Sequence, residues 1–95
     1  MRHSYGALLN AFLDYLEVEK NLSPNTVLSY KNDLRQFYEF LEKIFPSEDG
    51  VDLEKVTPVD IRSYLAGLYQ KNYQKTSVAR KLAALKIFYR FLNRE

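Results

Sequence analysis

The stretch that decides the fold is LSPNTVLSYKNDLRQFYEFLEKIF, residues 22–45. Ser23 is suited to cap the N-terminus of a helix, and Pro24 is suited to the first helical position, where its missing N–H costs no hydrogen bond. Apolar side chains then recur at helical spacing, at Val27, Tyr30, Leu34, Phe37, Leu41 and Ile44. The pattern predicts an amphipathic helix that begins at Pro24 and ends near Phe45.

A second stretch, VTPVD at residues 56–60, repeats this start signal. Thr57 is in the cap position, Pro58 is the first helical residue, and Asp60 has the position of a capping-box acid. An apolar residue before each cap can pack one turn into its helix, Leu22 on Val27 and Val56 on Ile61. The sequence therefore predicts another helix from Pro58 to about Lys71, after a polar loop over residues 47–54.

The remaining two segments also have helical spacing. The first predicted helix runs from a Ser4 cap to about Lys20 along a stripe formed by Tyr5, Leu8, Leu9, Phe12, Leu13 and Leu16. The last begins near Thr76 or Ser77 along a stripe formed by Val78, Leu82, Leu85, Tyr89 and Leu92. Three further apolar residues, Ile87, Phe88 and Phe91, fall off that stripe. Either they form a partly uncovered apolar surface, or Phe88 and Phe91 pack against the first helix and only Ile87 is exposed. The whole pattern indicates an all-α, compact four-helix bundle.

Length and composition favour one small domain without a cofactor. The chain has 95 residues and no cysteine, which excludes disulfides and thiolate metal sites. No apolar run is long enough to cross a bilayer, so we expect a soluble, cytoplasmic protein. The only histidine is His3, in the N-terminal tail, and no spacing of acids resembles a metal loop. We therefore expect neither a catalytic site nor a metal or cofactor site.

Charge is distributed unevenly along the chain. Residues 70–95 carry seven lysines and arginines and a single acid, Glu95, whereas residues 1–69 carry seven cations and eleven acids. A net charge of +2 for the whole chain conceals this asymmetry. A basic C-terminal part favours an anionic partner, most commonly nucleic acid.

Two predicted helix N-termini are free of acids. The helix at Pro24 has no acid before Asp33, and the last helix has none before Glu95, whereas Asp60 neutralises the third helix at its start. Acid-free N-termini present unpaired N–H groups and a partial positive charge to phosphate. Each could contact one DNA backbone across a groove. The alternative, ordinary caps beside a solvated basic surface, stays open on these features alone.

Three motifs, in this order, carry a resemblance to a known family. These are LSPNT (22–26) with Tyr30 and Asp33 following it, TPVDI (57–61), and SVARKLAALKIFYRFL (77–92). Together they resemble the N-terminal domain of tyrosine recombinases of the Xer and phage-integrase type, over almost the whole chain. The resemblance implies a SAM-like, core-binding domain over residues 1–95 that binds duplex DNA. It also implies that a separate C-terminal catalytic domain, absent from this chain, cuts the DNA.

The resemblance assigns DNA-facing positions on the second and fourth helices. Together with the acid-free helix starts, it gives the candidate DNA-binding set Asn25, Thr26, Ser29, Lys31, Arg35, Lys75, Thr76, Ser77, Arg80, Lys81 and Lys86. The chain departs from the family pattern at Asn32, where a second cation is frequent, at Ile87, and at Asn72, where a glycine is frequent near this point. Each departure affects the prediction of one DNA contact more than it affects the family assignment.

Two functions therefore remain. The first is a DNA-binding domain of a site-specific tyrosine recombinase or integrase, acting in DNA recombination with duplex DNA and neighbouring recombinase subunits as partners. The second is a helical protein-interaction module that docks through Ile87, Phe88 and Phe91. Salt dependence separates them, since binding through about five cations predicts a log K against log salt slope near −4 to −5.

Overall fold

The helices follow the start and stop signals of the sequence. The computed structural model describes residues 5–46 and 50–94. Within them lie four α-helices, α1 (Tyr5–Val18), α2 (Pro24–Ile44), α3 (Pro58–Gln70) and α4 (Lys75–Leu92), and a 3₁₀ turn at Leu53–Lys55. The all-α bundle is confirmed. The predicted Ser4 cap lies outside the described residues, and α1 ends two residues earlier than expected.

Side-chain caps start α2 and α3 as predicted. Ser23 Oγ accepts a hydrogen bond from the Thr26 backbone N–H at 3.3 Å. In the capping box of α3, Thr57 Oγ1 accepts from the Asp60 N–H at 3.3 Å, and an Asp60 carboxylate oxygen accepts from the Thr57 N–H at 2.9 Å. The prediction for α4 was wrong by one residue or two, because α4 begins at Lys75 after Gln74, which makes no side-chain cap bond.

A tight turn joins α3 to α4. Asn72 has a φ of 66°, in the left-handed region that favours glycine and tolerates asparagine. The N–H of Tyr73 donates to the Leu68 carbonyl at 3.1 Å, and the N–H of Asn72 donates to the Tyr69 carbonyl at 3.0 Å. This pair of bonds is a Schellman motif. Asn72 can therefore take the place of the glycine that is frequent in the family near this point.

Aromatic side chains form the contact between α1 and α4. Phe12 packs edge-on against Phe88 with ring centroids 5.2 Å apart, and Phe91 lies between Phe12 and Tyr15 at 5.4 and 5.0 Å. Phe88 is completely buried, and Ile87 and Phe91 are half-buried against the core. Of the two alternatives, the packing of Phe88 and Phe91 on α1 is therefore confirmed, whereas Ile87 is half-buried rather than exposed.

The buried faces of α2 and α4 differ from the predicted stripes. Ile44 is 41% exposed, since it lies at the last turn of α2 beyond the packed core. Leu82 is only half-buried. In their place, Asp33 and Lys81 are buried, on the faces where α2 and α4 meet. The two helices thus bury a charged pair that apolar periodicity alone cannot locate.

None of the described helices is long and apolar enough to cross a membrane. Among residues 5–46 and 50–94, no group of three or more His, Asp or Glu side chains is placed to hold a metal ion.

Candidate nucleic-acid interface

A buried carboxylate joins α2 to α4. Asp33 is 2% exposed and accepts hydrogen bonds from Arg80 Nε at 3.0 Å, Arg80 Nη2 at 2.9 Å and Lys81 Nζ at 2.8 Å. The hydrogen bond to Asp33 raises the pKa of the Arg80 guanidinium above its ordinary value. We call these three residues the Asp33 cluster. Its formal charge is +1, because two cations share one anion.

The two cations of the cluster differ in exposure. The Arg80 side chain is 49% exposed, whereas the Lys81 side chain is 8% exposed. The Lys81 ammonium also lies 5.5 Å from the centre of the Tyr73 ring, whose hydroxyl accepts a hydrogen bond from Gln36 at 2.9 Å. Lys81, which the resemblance assigned to the DNA-facing set, is therefore not on the outer surface of α4. Its ammonium is engaged with Asp33 and covered by Tyr73.

The outer face of α4 carries the exposed cations. Lys75, Ala79, Ala83, Lys86 and Arg90 recur every three or four residues, and all five are exposed. The helix contains no acid. The two alanines leave room for a large partner to approach the helix backbone between the cations. Arg90 was missed by the sequence-based set, although its position four residues after Lys86 is the spacing that places both on one face.

The candidates at the start of α4 are also accessible. Thr76 is exposed and Ser77 is half-buried, both within the first turn. Neither caps the helix, so their hydroxyls are not needed to complete the helix start. The first turn of α4 therefore presents hydroxyl groups and backbone N–H groups together, a combination that suits an oxygen-rich anion.

The candidates on α2 are distributed over different sides of that helix. Asn25 is exposed, Ser29 is half-buried, and Thr26 has its hydroxyl 2.9 Å from the Ser23 hydroxyl. Lys31 and Arg35 instead line an open groove of about 470 Å³ between α1 and α2, together with Tyr5, Gly6, Leu9, Asn10 and Tyr38. The structure therefore places Lys31 and Arg35 on the side of α2 that faces α1.

The two acid-free N-termini lie at opposite ends of the α2–α4 contact. Asp33 meets Arg80, whereas Gln36, further along α2, meets Tyr73, which precedes α4. The helices therefore run in opposite directions. With a rise of about 1.5 Å per residue, the first turns of α2 and α4 are separated by roughly 20 Å along the contact. A shared ligand would have to be extended.

Two tyrosines, one on α3 and one on α4, have buried hydroxyl groups. The hydroxyls of Tyr64 and Tyr89 have no hydrogen-bond partner among the described residues. Burial raises the pKa of Tyr64, with the nearby Asp33 charge as the second cause. Burial, with the charge of Asp60, raises the pKa of Tyr89 to about 12. Both groups therefore pack as neutral phenols.

Comparison with known proteins decides the family. The family model for the phage integrase N-terminal SAM-like domain matches residues 9–95. This chain belongs to that family. The match begins within α1 and extends through α4, and it includes all three residues of the Asp33 cluster. The likeness inferred from the LSPNT, TPVDI and SVARKL stretches is thereby confirmed.

The similar curated proteins are bacterial recombinases. Tyrosine recombinase XerC of Anoxybacillus flavithermus is 41% identical over 87 residues, which covers 92% of this chain and 28% of that protein. Tyrosine recombinase XerC of Oceanobacillus iheyensis is 44% identical, over 92% of this chain and 27% of the XerC protein. XerC of Listeria monocytogenes serotype 4a is 45% identical, over 95% of this chain and 29% of the XerC protein. No solved structure gives a significant match.

These coverages show that the chain corresponds to a part of its relatives. It spans less than a third of the length of the XerC proteins that it matches. The matched part is the N-terminal SAM-like domain.

Proposed function

We propose that this chain is the DNA-binding, N-terminal domain of a site-specific tyrosine recombinase, and that it holds duplex DNA in position for a catalytic domain that cuts it. The observation that carries the proposal is the outer face of α4, where exposed Lys75, Lys86 and Arg90 stand on a helix with no acid. Phosphate contacts of this kind orient a protein on duplex DNA and supply most of its non-specific affinity.

The family supports the same function. The relatives are named tyrosine recombinases, and their similarity to this chain is confined to under a third of their length. We infer that cleavage and strand exchange are carried out by residues outside the matched part, and that none of the tyrosines here is a nucleophile. Neighbouring subunits of the recombinase are further proposed partners.

The competing function, a protein-interaction module, loses the observation on which it rested. Its docking surface required Ile87, Phe88 and Phe91 to be uncovered. Phe88 is completely buried, Phe91 packs on α1, and Ile87 is half-buried. Six large apolar side chains on the described residues are exposed, but they are distributed over α1, α2, α3 and the α3–α4 turn. They are Val18, Leu28, Ile44, Val59, Tyr69 and Tyr73.

A titration of fluorescently labelled duplex DNA tests the proposal. The chain should bind with a Kd of about micromolar or weaker at physiological salt, with little sequence preference, because a lone domain makes only part of the contacts. Replacing both Lys86 and Arg90 by Gln should weaken binding and reduce the slope of log K against log salt by about 2.

A charge-matched variant provides the control. Lys43 and Lys55 are exposed and lie outside α4. Replacing both by Gln removes the same charge and should leave the salt slope within about 0.5 of the native value. If the two double variants lose equal affinity, binding follows net charge alone and the α4 surface is not the site. If the native chain binds no duplex, the function itself is wrong.

A further inference from the structure

We propose, on the basis of the DNA-binding function above, that Asp33 is a positioning residue that holds Arg80 for contact with a DNA phosphate. In the same arrangement, Lys81 neutralises Asp33 and does not itself bind DNA. The family likeness placed Arg80 and Lys81 together as equivalent DNA-facing cations. The geometry of the cluster separates their roles.

The Arg80 guanidinium is bound along one edge only. Its Nε and Nη2 atoms donate to the two oxygens of Asp33 at 3.0 and 2.9 Å. This leaves the edge formed by Nη1 and the second hydrogen of Nη2, and Nη1 has no hydrogen-bond partner among the described residues. Two parallel N–H groups on one edge match the oxygens of a phosphate. With 49% of its side chain exposed, Arg80 can present that edge to a ligand.

The carboxylate also restricts the motion of Arg80. A free arginine loses several rotamers when it binds, whereas a side chain already held by two hydrogen bonds has less freedom to lose. Asp33 is itself fixed, because it is buried within α2 and bound by a second cation. The orientation of Arg80 is thus determined before DNA arrives.

Lys81 removes the electrostatic penalty of this arrangement. An acid paired only with Arg80 would form a neutral pair with no net attraction for a nearby phosphate. Lys81 Nζ lies 2.8 Å from Asp33 Oδ1, the oxygen that Arg80 Nη2 also contacts, so the cluster keeps its charge of +1. Since Lys81 is buried, that charge reaches the surface at Arg80.

The test compares Arg80→Gln in two backgrounds. One is the native chain, and the other carries Asp33→Asn with Lys81→Met, which removes one acid and one cation and leaves the net charge at +2. In the native chain, Arg80→Gln should weaken duplex binding about 5- to 10-fold and reduce the salt slope by about 0.9. In the second background, where Arg80 no longer has a carboxylate with two acceptor oxygens to hold it, the loss should be no more than about 2-fold.

Two results would overturn the proposal. Equal losses in both backgrounds mean that Arg80 binds DNA without help from Asp33. No loss in the native chain means that Arg80 only joins α2 to α4. Circular dichroism establishes that each variant is folded before its affinity is compared.

A second variant keeps the proposal testable if the double background fails to fold. Arg80→Lys keeps the positive charge at this half-exposed position. A lysine ammonium, however, lacks the two donor edges with which the guanidinium can bind Asp33 and a phosphate at the same time. This variant should lose at least about 3-fold in affinity with an unchanged salt slope. Native affinity in Arg80→Lys would show that charge alone is sufficient and would overturn the positioning role.

The proposed function can fail separately. Absence of binding by the native chain refutes DNA binding altogether. If the native chain binds, and the Lys86 and Arg90 double variant binds more weakly while Arg80→Gln does not, only the role of the Asp33 cluster is wrong.

Discussion

Neutralising Asp33 should destabilise the domain far more than removing the charge of Lys81. Both groups are buried, with side-chain exposures of 2% and 8%. Asp33→Asn leaves the Lys81 ammonium without an anion in a site closed by the Tyr73 ring. Breaking a buried ion pair in this way costs about 3 to 5 kcal/mol, because an uncompensated charge stays behind. That is a large part of a total stability of about 5 to 15 kcal/mol.

Lys81→Met is expected to behave differently. Asp33 would keep both of its hydrogen bonds to Arg80, and methionine fills a similar length without a charge. The loss should be at most about 2 kcal/mol, the value of one charge-assisted hydrogen bond. In the double variant no buried ammonium is left unpaired, so the two losses should fall short of adding by about 1 kcal/mol or more.

Urea denaturation monitored by circular dichroism gives the free energy of unfolding of each variant. Lys43→Met, at an exposed position, is the matched control and should stay within about 0.5 kcal/mol of the native chain. If Asp33→Asn costs no more than Lys81→Met, the ammonium is not buried as described, and the reasoning fails. Lys81 lies off the apolar stripe of α4, so the stripe alone predicts no loss of stability for Lys81→Met. A measurable loss would show that the tertiary structure, and not the stripe, places this residue.

Three further outcomes are expected in urea denaturation. Leu34 is completely buried, so Leu34→Ala should lower the free energy of unfolding by about 2 to 5 kcal/mol. Leu82 is half-buried, so Leu82→Ala should lower it clearly less. Equal losses would contradict the observed burial. Ser23→Ala should cost about 1 kcal/mol because a cap bond is lost, and Thr76→Ala, which loses no cap, should stay within about 0.5 kcal/mol. Above pH 10 the domain should lose stability, because the Tyr89 pKa of about 12 in the folded chain exceeds the ordinary value of 10.0 that applies when unfolded. The contribution of protonated Tyr89 to stability is complete below pH 10 and is lost as the pH rises to 12, at up to about 1.4 kcal/mol per pH unit. Tyr89→Phe should therefore reduce the slope of the unfolding free energy against pH. An unchanged slope would show that this hydroxyl titrates normally.

Local signals in the sequence were sufficient for the helices and the family. Ser23 and Thr57 start α2 and α3 as predicted, because a cap depends on residues three apart. The basic composition of α4 is likewise a property of the sequence. Arg90 could have been included in the candidate site from its spacing alone.

What only the tertiary structure decided is which side chains face which helix. Periodicity places Lys81 beside the apolar stripe, but the crossing of α2 and α4 turns it inward to Asp33, 48 residues earlier in the chain. The same packing covers Phe88 with α1 and divides the α2 candidates between two sides of that helix. A charged residue can be buried only where a distant partner meets it. The sequence by itself therefore determined the elements and their charge, and the packing of the helices determined which charges reach the surface.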